Sequence, residues 1–232
     1  MKAMFMSDLL IAKKYLLQQS IIGVAVGLFI SVIMGNLYIV VPAVGVMIPF
    51  SIAFTILAYD ERDNWEQFRL SLPISRAGVI LGRYASLGVI ALGGLVLGLI
   101  TTGVLIAAAT IAPNVPQLAD LMVNFSWQAI VFTCAIAVGI ILLMLTLTMP
   151  LVSRFGMTKA VRFIPLALIV IVMLGFTAGD GMGAPDFLIR LGEWIQTPEG
   201  TLGMAGIVIA ASCALYALSG ALSTKLYAKR EF

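Results

Sequence analysis

Long stretches without a charged residue dominate this chain of 232 residues. They cover residues 15–59, 84–119, 121–153, 163–179 and 200–224. A helix that crosses the hydrocarbon core of a bilayer, about 30 Å thick, needs about 20 such residues. The first stretch is long enough for two crossings. The sequence therefore predicts an all-α membrane protein with six transmembrane helices.

The distribution of Lys and Arg sets the orientation of the predicted spans, because basic residues accumulate on the cytoplasmic side of a membrane. The spans are placed at 18–35, 38–58, 85–111, 127–149, 163–178 and 203–223, with a turn at Gly35 and Asn36 between the first two. With both termini in the cytoplasm, every basic residue except Arg190 is cytoplasmic. We expect a single transmembrane domain over residues 1–232.

Several functional classes are excluded by composition. Hydrophobic residues make up 61% of the chain and charged residues 11%, which excludes an ordinary soluble enzyme. Histidine is absent, and Cys134 and Cys213 lie in apolar runs, so a metal site is not expected. No G-x-x-x-x-G-K-[ST] loop occurs, and the net charge of +3 is too scattered for nucleic-acid binding. The predicted spans contain no ionisable residue, which argues against an ion-driven carrier.

The first residues, 1–17, have two interpretations. Apolar residues recur at helical spacing, at Phe5, Leu9, Ala12 and Leu16. With Lys13 and Lys14 reaching lipid phosphates, this pattern predicts a helix that lies on the inner membrane surface and contacts membrane lipids. The alternative is a cytoplasmic extension of the first span.

Small residues recur at every fourth position of the first span, at Gly23, Gly27, Ser31 and Gly35. Such a stripe allows another helix to approach closely, so it is a candidate dimer face. Packing against another helix of the same chain is the alternative.

Residues 179–201 form a predicted extracellular element between the fifth and sixth spans. Asp186 is expected to cap a short helix here, with Trp194 at the membrane interface. Carboxylates of a membrane enzyme would also lie on this side, at Asp180, Asp186, Glu193 and Glu199. They have no recognisable catalytic spacing, so an outer loop is the preferred interpretation and the chain is not predicted to be an enzyme.

The cytoplasmic connection between the second and third spans, residues 60–84, combines charges with aromatic residues. Trp65, Phe68 and Leu72 would form the apolar edge of a short helix that Pro73 ends, and Ser75 would cap the next helix. This shape suits the docking of a soluble protein. A loop whose aromatic side chains anchor in lipid headgroups is the alternative.

Three motifs in this connection carry a family resemblance: E-R-x-x-W at 61–65, S-L-P-I-S-R at 71–76 and G-R-Y at 82–84. With the predicted topology, they make nearly the whole chain resemble the permease subunits of type-two ABC exporters, in particular the small bacterial multidrug and peptide exporters. The resemblance implies a multi-pass protein of the bacterial plasma membrane. It also implies an interfacial helix at the N-terminus and a coupling helix between spans two and three.

The same resemblance implies partners. Separate ATPase subunits would bind ATP and Mg²⁺, with no cofactor in this chain, and a second permease would complete a homodimer or a heterodimer. Residues that couple to the ATPase would be Glu61, Trp65, Phe68, Leu72, Pro73, Ser75 and Arg76. The expected function is export of an amphipathic or hydrophobic substrate such as a peptide or drug. A channel or carrier that does not use ATP, and a non-transporting immunity or sensor component, are the alternatives.

Overall fold

The described part of the chain, in a computed structural model, comprises residues 2–62, 75–122, 125–160 and 186–229 and is helical, with no strand. Its helices are α1 (Lys2–Met34), α2 (Val40–Arg62), α3 (Arg76–Ile111), α4 (Pro116–Leu121), α5 (Trp127–Phe155), α6 (Asp186–Ile195) and α7 (Pro198–Ala228). One 3₁₀ turn, Leu37–Ile39, precedes α2. The prediction of an all-α protein is confirmed for these residues.

Five of the described helices, α1, α2, α3, α5 and α7, are long and apolar enough to cross a membrane. They overlap the predicted spans one to four and six, and the chain is a multi-pass membrane protein. The predicted fifth span, 163–178, lies outside the described residues. Helices α5 and α7 run in the same direction, since Gly139 faces Val208 while Thr146, further along α5, accepts a hydrogen bond from Ser219. Two helices that are separated in sequence by one further membrane crossing must run in the same direction, so this orientation agrees with a fifth span between α5 and α7.

The predicted turn between the first two spans is confirmed at Gly35 and Asn36. Gly35 has a φ of 58°, a left-handed conformation that glycine adopts without a steric penalty. Its N–H donates to the carbonyl of Val32 (3.4 Å), and the N–H of Asn36 donates to that of Ser31 (3.1 Å). These two bonds form a Schellman motif, which satisfies carbonyls at the end of α1.

The N-terminal segment is not a separate helix. Helix α1 is continuous from Lys2 to Met34, so the segment predicted as an interfacial helix, 1–17, runs without a break into the first predicted span. The physical reason is local, because the junction Leu17-Gln18-Gln19-Ser20 contains neither Gly nor Pro and its Leu and Gln residues are good helix formers. The face carrying Met4, Asp8 and Ala12 is buried in the bundle.

Small residues of α1 pack within the chain. A Cβ atom on Gly23 would lie 2.5 Å from Cγ1 of Ile48, and one on Gly27 would lie 2.7 Å from Cγ2 of Val44. Ser31 is fully buried. The face proposed for dimerisation is thus covered by α2 of the same chain, which is the intramolecular alternative, while Gly35 belongs to the turn.

Helix α6 is the predicted short helix; Asp186, expected to cap it, is its first helical residue, and the helix ends beside α7. Thr197 caps α7 by accepting a hydrogen bond from the N–H of Gly200 at 3.1 Å. The ring of Trp194 covers Gly203, where a Cβ atom would come within 2.7 Å of it. The short helix is therefore held against the start of α7.

Two neighbouring glycines of α3, Gly93 and Gly94, test the close packing of α2 on α3. A methyl group on Gly94 would lie 2.6 Å from Cδ of Pro49, whose ring cannot rotate away, whereas nothing lies within 4 Å of the corresponding position on Gly93. We expect Gly94→Ala to destabilise the protein by about 1–3 kcal/mol through overpacking. Gly93→Ala should be neutral or stabilising, by up to about 1 kcal/mol of helix propensity. Thermal unfolding of both purified variants measures the difference, and equal melting temperatures would contradict the packing of α2 on α3.

Candidate functional site

The starts of α1 and α3 and the ends of α2, α5 and α7 meet at one end of the bundle, which we call the polar end. The sequence predicts this end to be cytoplasmic. It also flanks the predicted coupling segment, because α2 ends at Arg62 and α3 begins at Arg76. The contacts at the polar end therefore determine how residues 63–74 are joined to the membrane helices.

A buried charge cluster formed by Asp8, Asp60, Arg83 and Ser86 joins three helices at this end. The Arg83 guanidinium pairs with Asp8 of α1, with Nη2 3.3 Å from Oδ1, and with Asp60 of α2. The Ser86 hydroxyl donates to Oδ2 of Asp8 at 2.7 Å. Asp8, Asp60 and Arg83 are 0%, 4% and 5% exposed. One arginine thus ties the start of α1 and the end of α2 to α3.

The balance of charge makes Arg83 the central member of the cluster. A buried carboxylate is costly unless it is paired and hydrogen-bonded, and here two carboxylates share one cation. The planar guanidinium presents several N–H donors and so can serve both partners at once. Removing Arg83 would leave two like charges buried together.

Glu61 connects the end of α2 to the chain beyond α5. Its Oε2 accepts a hydrogen bond of 2.6 Å from the backbone N–H of Thr158. Gly156, with φ of 80°, ends α5, and residues 157–160 are helical again. Thr158 therefore offers an N–H at the start of a helical turn, where a carboxylate is favoured.

Ser75 and Arg76 fix the start of α3. The Ser75 hydroxyl accepts a hydrogen bond from the N–H of Gly78 at 3.1 Å, which confirms the predicted helix cap. Arg76 Nη1 donates to the carbonyl of Ala228 at 2.9 Å, at the end of α7. A cation is favoured there by the exposed carbonyls and the helix dipole.

A hydroxyl network holds α3 to α7 just beyond the charge cluster. The Tyr84 hydroxyl lies 2.8 Å from the hydroxyls of both Ser219 and Ser223. Tyr216 donates to the backbone carbonyl of Tyr84 at 2.9 Å. These buried polar groups are satisfied by one another, so they hold the two helices in one register.

The predicted coupling residues divide into two groups. Glu61, Ser75 and Arg76 lie at the polar end, each with a defined partner. Trp65, Phe68, Leu72 and Pro73 lie outside the described residues. Both flanks of segment 63–74 are therefore attached to the bundle.

Sequence reasoning missed the pairing of Asp8, Asp60 and Arg83. From the sequence, Asp8 has no assigned role, and Arg83 is placed only among the cytoplasmic basic residues and in the G-R-Y motif. One signal was present: Asp8 lies four residues from both Met4 and Ala12, on the apolar face of α1. A carboxylate on such a face requires a buried partner, although its identity cannot be read from spacing.

Comparison with known proteins gives one match. A family model described as ABC-2 family transporter protein matches residues 3–228. No curated protein and no solved structure matches the chain significantly.

The charge cluster predicts an order of stability among variants. Arg83→Met should destabilise the protein by about 3–5 kcal/mol, because it leaves two buried carboxylates without a cation. Asp8→Asn should cost less, since Arg83 and Asp60 remain as a neutral pair. Thermal unfolding in detergent measures both, with Arg190→Met, a change at an exposed arginine of α6, as the control.

A combined variant isolates the electrostatic cause. Asp8→Asn, Asp60→Asn and Arg83→Met together remove every charge of the cluster, so they should recover part of the stability that Arg83→Met loses. If Arg83→Met unfolds at the same temperature as Arg190→Met, the cluster does not hold the helices together.

Proposed function

Since the chain belongs to the ABC-2 family of transporter proteins, we propose that this membrane permease serves an ATP-driven exporter of the bacterial plasma membrane. ATP and Mg²⁺ bind in separate ATPase subunits, because the sequence has no phosphate-binding loop of its own. The observation that carries this proposal is the anchoring of segment 63–74 on both flanks to the membrane helices.

The contacts on both flanks of segment 63–74 would transmit a force from a docked ATPase to the membrane helices. An ATPase docked on Trp65, Phe68, Leu72 and Pro73 pushes on a segment whose two ends are fixed. Motion at Asp60 and Arg83 reaches α1 and α3, motion at Glu61 reaches the end of α5, and motion at Arg76 reaches α7. Packed helices move as rigid bodies, so one push displaces the whole polar end.

The proposed substrate class rests on the residues that line a groove in the membrane part of the bundle. A groove of about 760 Å³ lies between α3, α5 and α7. It is lined by apolar side chains and by Tyr84 and Tyr216, whose hydroxyls are already hydrogen-bonded within the chain. This surface suits the apolar part of an amphipathic or hydrophobic substrate, such as a peptide or drug. A second permease, identical or similar, would complete the route.

Docking of the ATPase can be tested by affinity purification from the host membrane. We expect an ATPase with a phosphate-binding loop to co-purify with the wild-type protein. Trp65→Ala with Phe68→Ala should remove most of it, since aromatic side chains dominate such interfaces. Quantitative mass spectrometry of the eluted proteins gives the ratio of ATPase to permease.

A matched control changes the same two residue types at the opposite end of the bundle. Trp127 and Phe125 are 55% and 43% exposed, and their replacement by Ala should leave the ATPase bound. The proposal fails if no ATPase co-purifies with the wild type, or if both double variants retain it equally.

The side of the membrane on which the coupling segment lies is tested by cysteine labelling. In a background with Cys134→Ala and Cys213→Ala, Ser75→Cys should react with a membrane-impermeant maleimide only after the cells are opened. Asn114→Cys, in the predicted outer connection after α3, should react in intact cells. Ser75 and Asn114 are both exposed, so accessibility does not distinguish them. Labelling of Ser75→Cys from outside would place the docking segment on the wrong side for a cytoplasmic ATPase.

A further inference from the structure

A second groove lies between α1 and α3. It is separate from the charge cluster and from the groove between α3, α5 and α7. Its volume is about 340 Å³. Ile48 and Ile52 of α2 form its floor and are buried, whereas Leu16 and Val89 on its two walls are 49% and 47% exposed. The groove is therefore closed beneath by apolar side chains and open at the side, where a membrane protein meets lipid.

Gly93 widens the groove on the α3 side. No atom lies within 4 Å of the position that a Cβ atom would occupy on this residue. The space in front of Gly93 is thus available to a ligand. The groove's volume lies near the lower end of the range for small-molecule pockets, about 300–1,000 Å³. It therefore fits a single acyl chain and not a whole lipid.

One cation lies at the groove. Lys13 lines it and is exposed, and the described residues show no ion pair with its ammonium group. The nearest carboxylate in sequence, Asp8, is held by Arg83 and Ser86. The adjacent Lys14 has a different environment, because its ammonium lies 5.7 Å from the ring centre of Tyr15 and it does not line the groove.

The groove extends from Lys13 toward the middle of the bilayer. Counting about 20 residues of hydrocarbon-spanning helix back from Met34, where α1 ends, places the boundary of the hydrocarbon near Lys13. Ser20, at the other end of the α1 wall, lies about 10 Å further along the helix axis. Lys13 is thus at the level of lipid phosphates, and the apolar groove is at the level of acyl chains.

We propose that the groove between α1 and α3 binds an anionic phospholipid from the leaflet at the polar end, with one acyl chain in the groove and the phosphate on Lys13. Charge complementarity selects the lipid, because a net negative headgroup gains more from the ammonium than a zwitterionic one that carries its own cation. The site goes beyond the proposed export function and does not depend on an ATPase.

Native mass spectrometry of the purified protein tests this proposal. The protein is titrated with phosphatidylglycerol and with phosphatidylcholine of the same acyl chains. We expect tighter binding of phosphatidylglycerol by the wild type and about fivefold weaker binding by Lys13→Ala. Lys14→Ala removes the same charge one residue away and should bind as the wild type does, and Lys13→Arg should retain the affinity.

A matched pair of variants tests the part of the site that would hold the acyl chain. Gly93→Leu fills the groove and should weaken both lipids, whereas Gly103→Leu adds the same side chain to open space on α3 outside the groove. Glycerol 1-phosphate, a headgroup without chains, should not compete with the lipid. Thermal unfolding confirms that each variant is folded.

Three results would overturn the proposal. Equal losses in Lys13→Ala and Lys14→Ala would indicate attraction by general surface charge. Unchanged binding in Gly93→Leu would show that no chain enters the groove. Competition by glycerol 1-phosphate would indicate a phosphate site and not a lipid site. None of these results bears on ATPase docking, which is measured separately by co-purification.

Discussion

The guanidinium of Arg83 is the interaction on which the polar end depends. It brings a carboxylate from the start of α1 and another from the end of α2 onto α3, in a place from which water is almost excluded. Apolar side chains could fill the same volume at a similar or lower free energy. The ion pairs differ in that they are lost when the helix ends separate, and an unpaired buried charge is costly. The cluster thus fixes the relative positions of three helix ends.

Close backbone packing extends this constraint along the bundle. Helix α2 packs closely on both α1 and α3, with Gly23 of α1 against Ile48 and Gly94 of α3 against Pro49. Since these contacts leave no room for even a methyl group, a displacement of α2 at the polar end is carried to its neighbours. Ionic contacts at the polar end and close packing along the length therefore hold α1, α2 and α3 together as one unit.

The transmembrane helices could be predicted from the sequence because hydrocarbon excludes charge, so uncharged stretches such as 84–119 mark the spans directly. The ends of the helices could not be predicted in this way, because α1 and α3 continue through charged residues, which a bilayer would exclude but a helix accepts. The Gly23 stripe correctly indicated a close approach, but small residues do not specify which helix approaches. The Ser75 cap was predictable because capping is local. The contacts of Glu61 with Thr158 and of Arg83 with Asp8 join residues far apart in sequence, and their spacing carries no signal of that.

Continuity of α1 links the charge cluster at the polar end to the groove between α1 and α3. Asp8 and Lys13 lie five residues apart on one unbroken helix, the first held by Arg83 and the second exposed at the α1–α3 groove. A helix of this length transmits displacement along its axis with little loss, so a shift of the charge cluster also moves one wall of the groove. The other wall, α3, carries Arg83 itself. A movement that separates Asp8 from Arg83 therefore also displaces the two walls of the groove relative to each other.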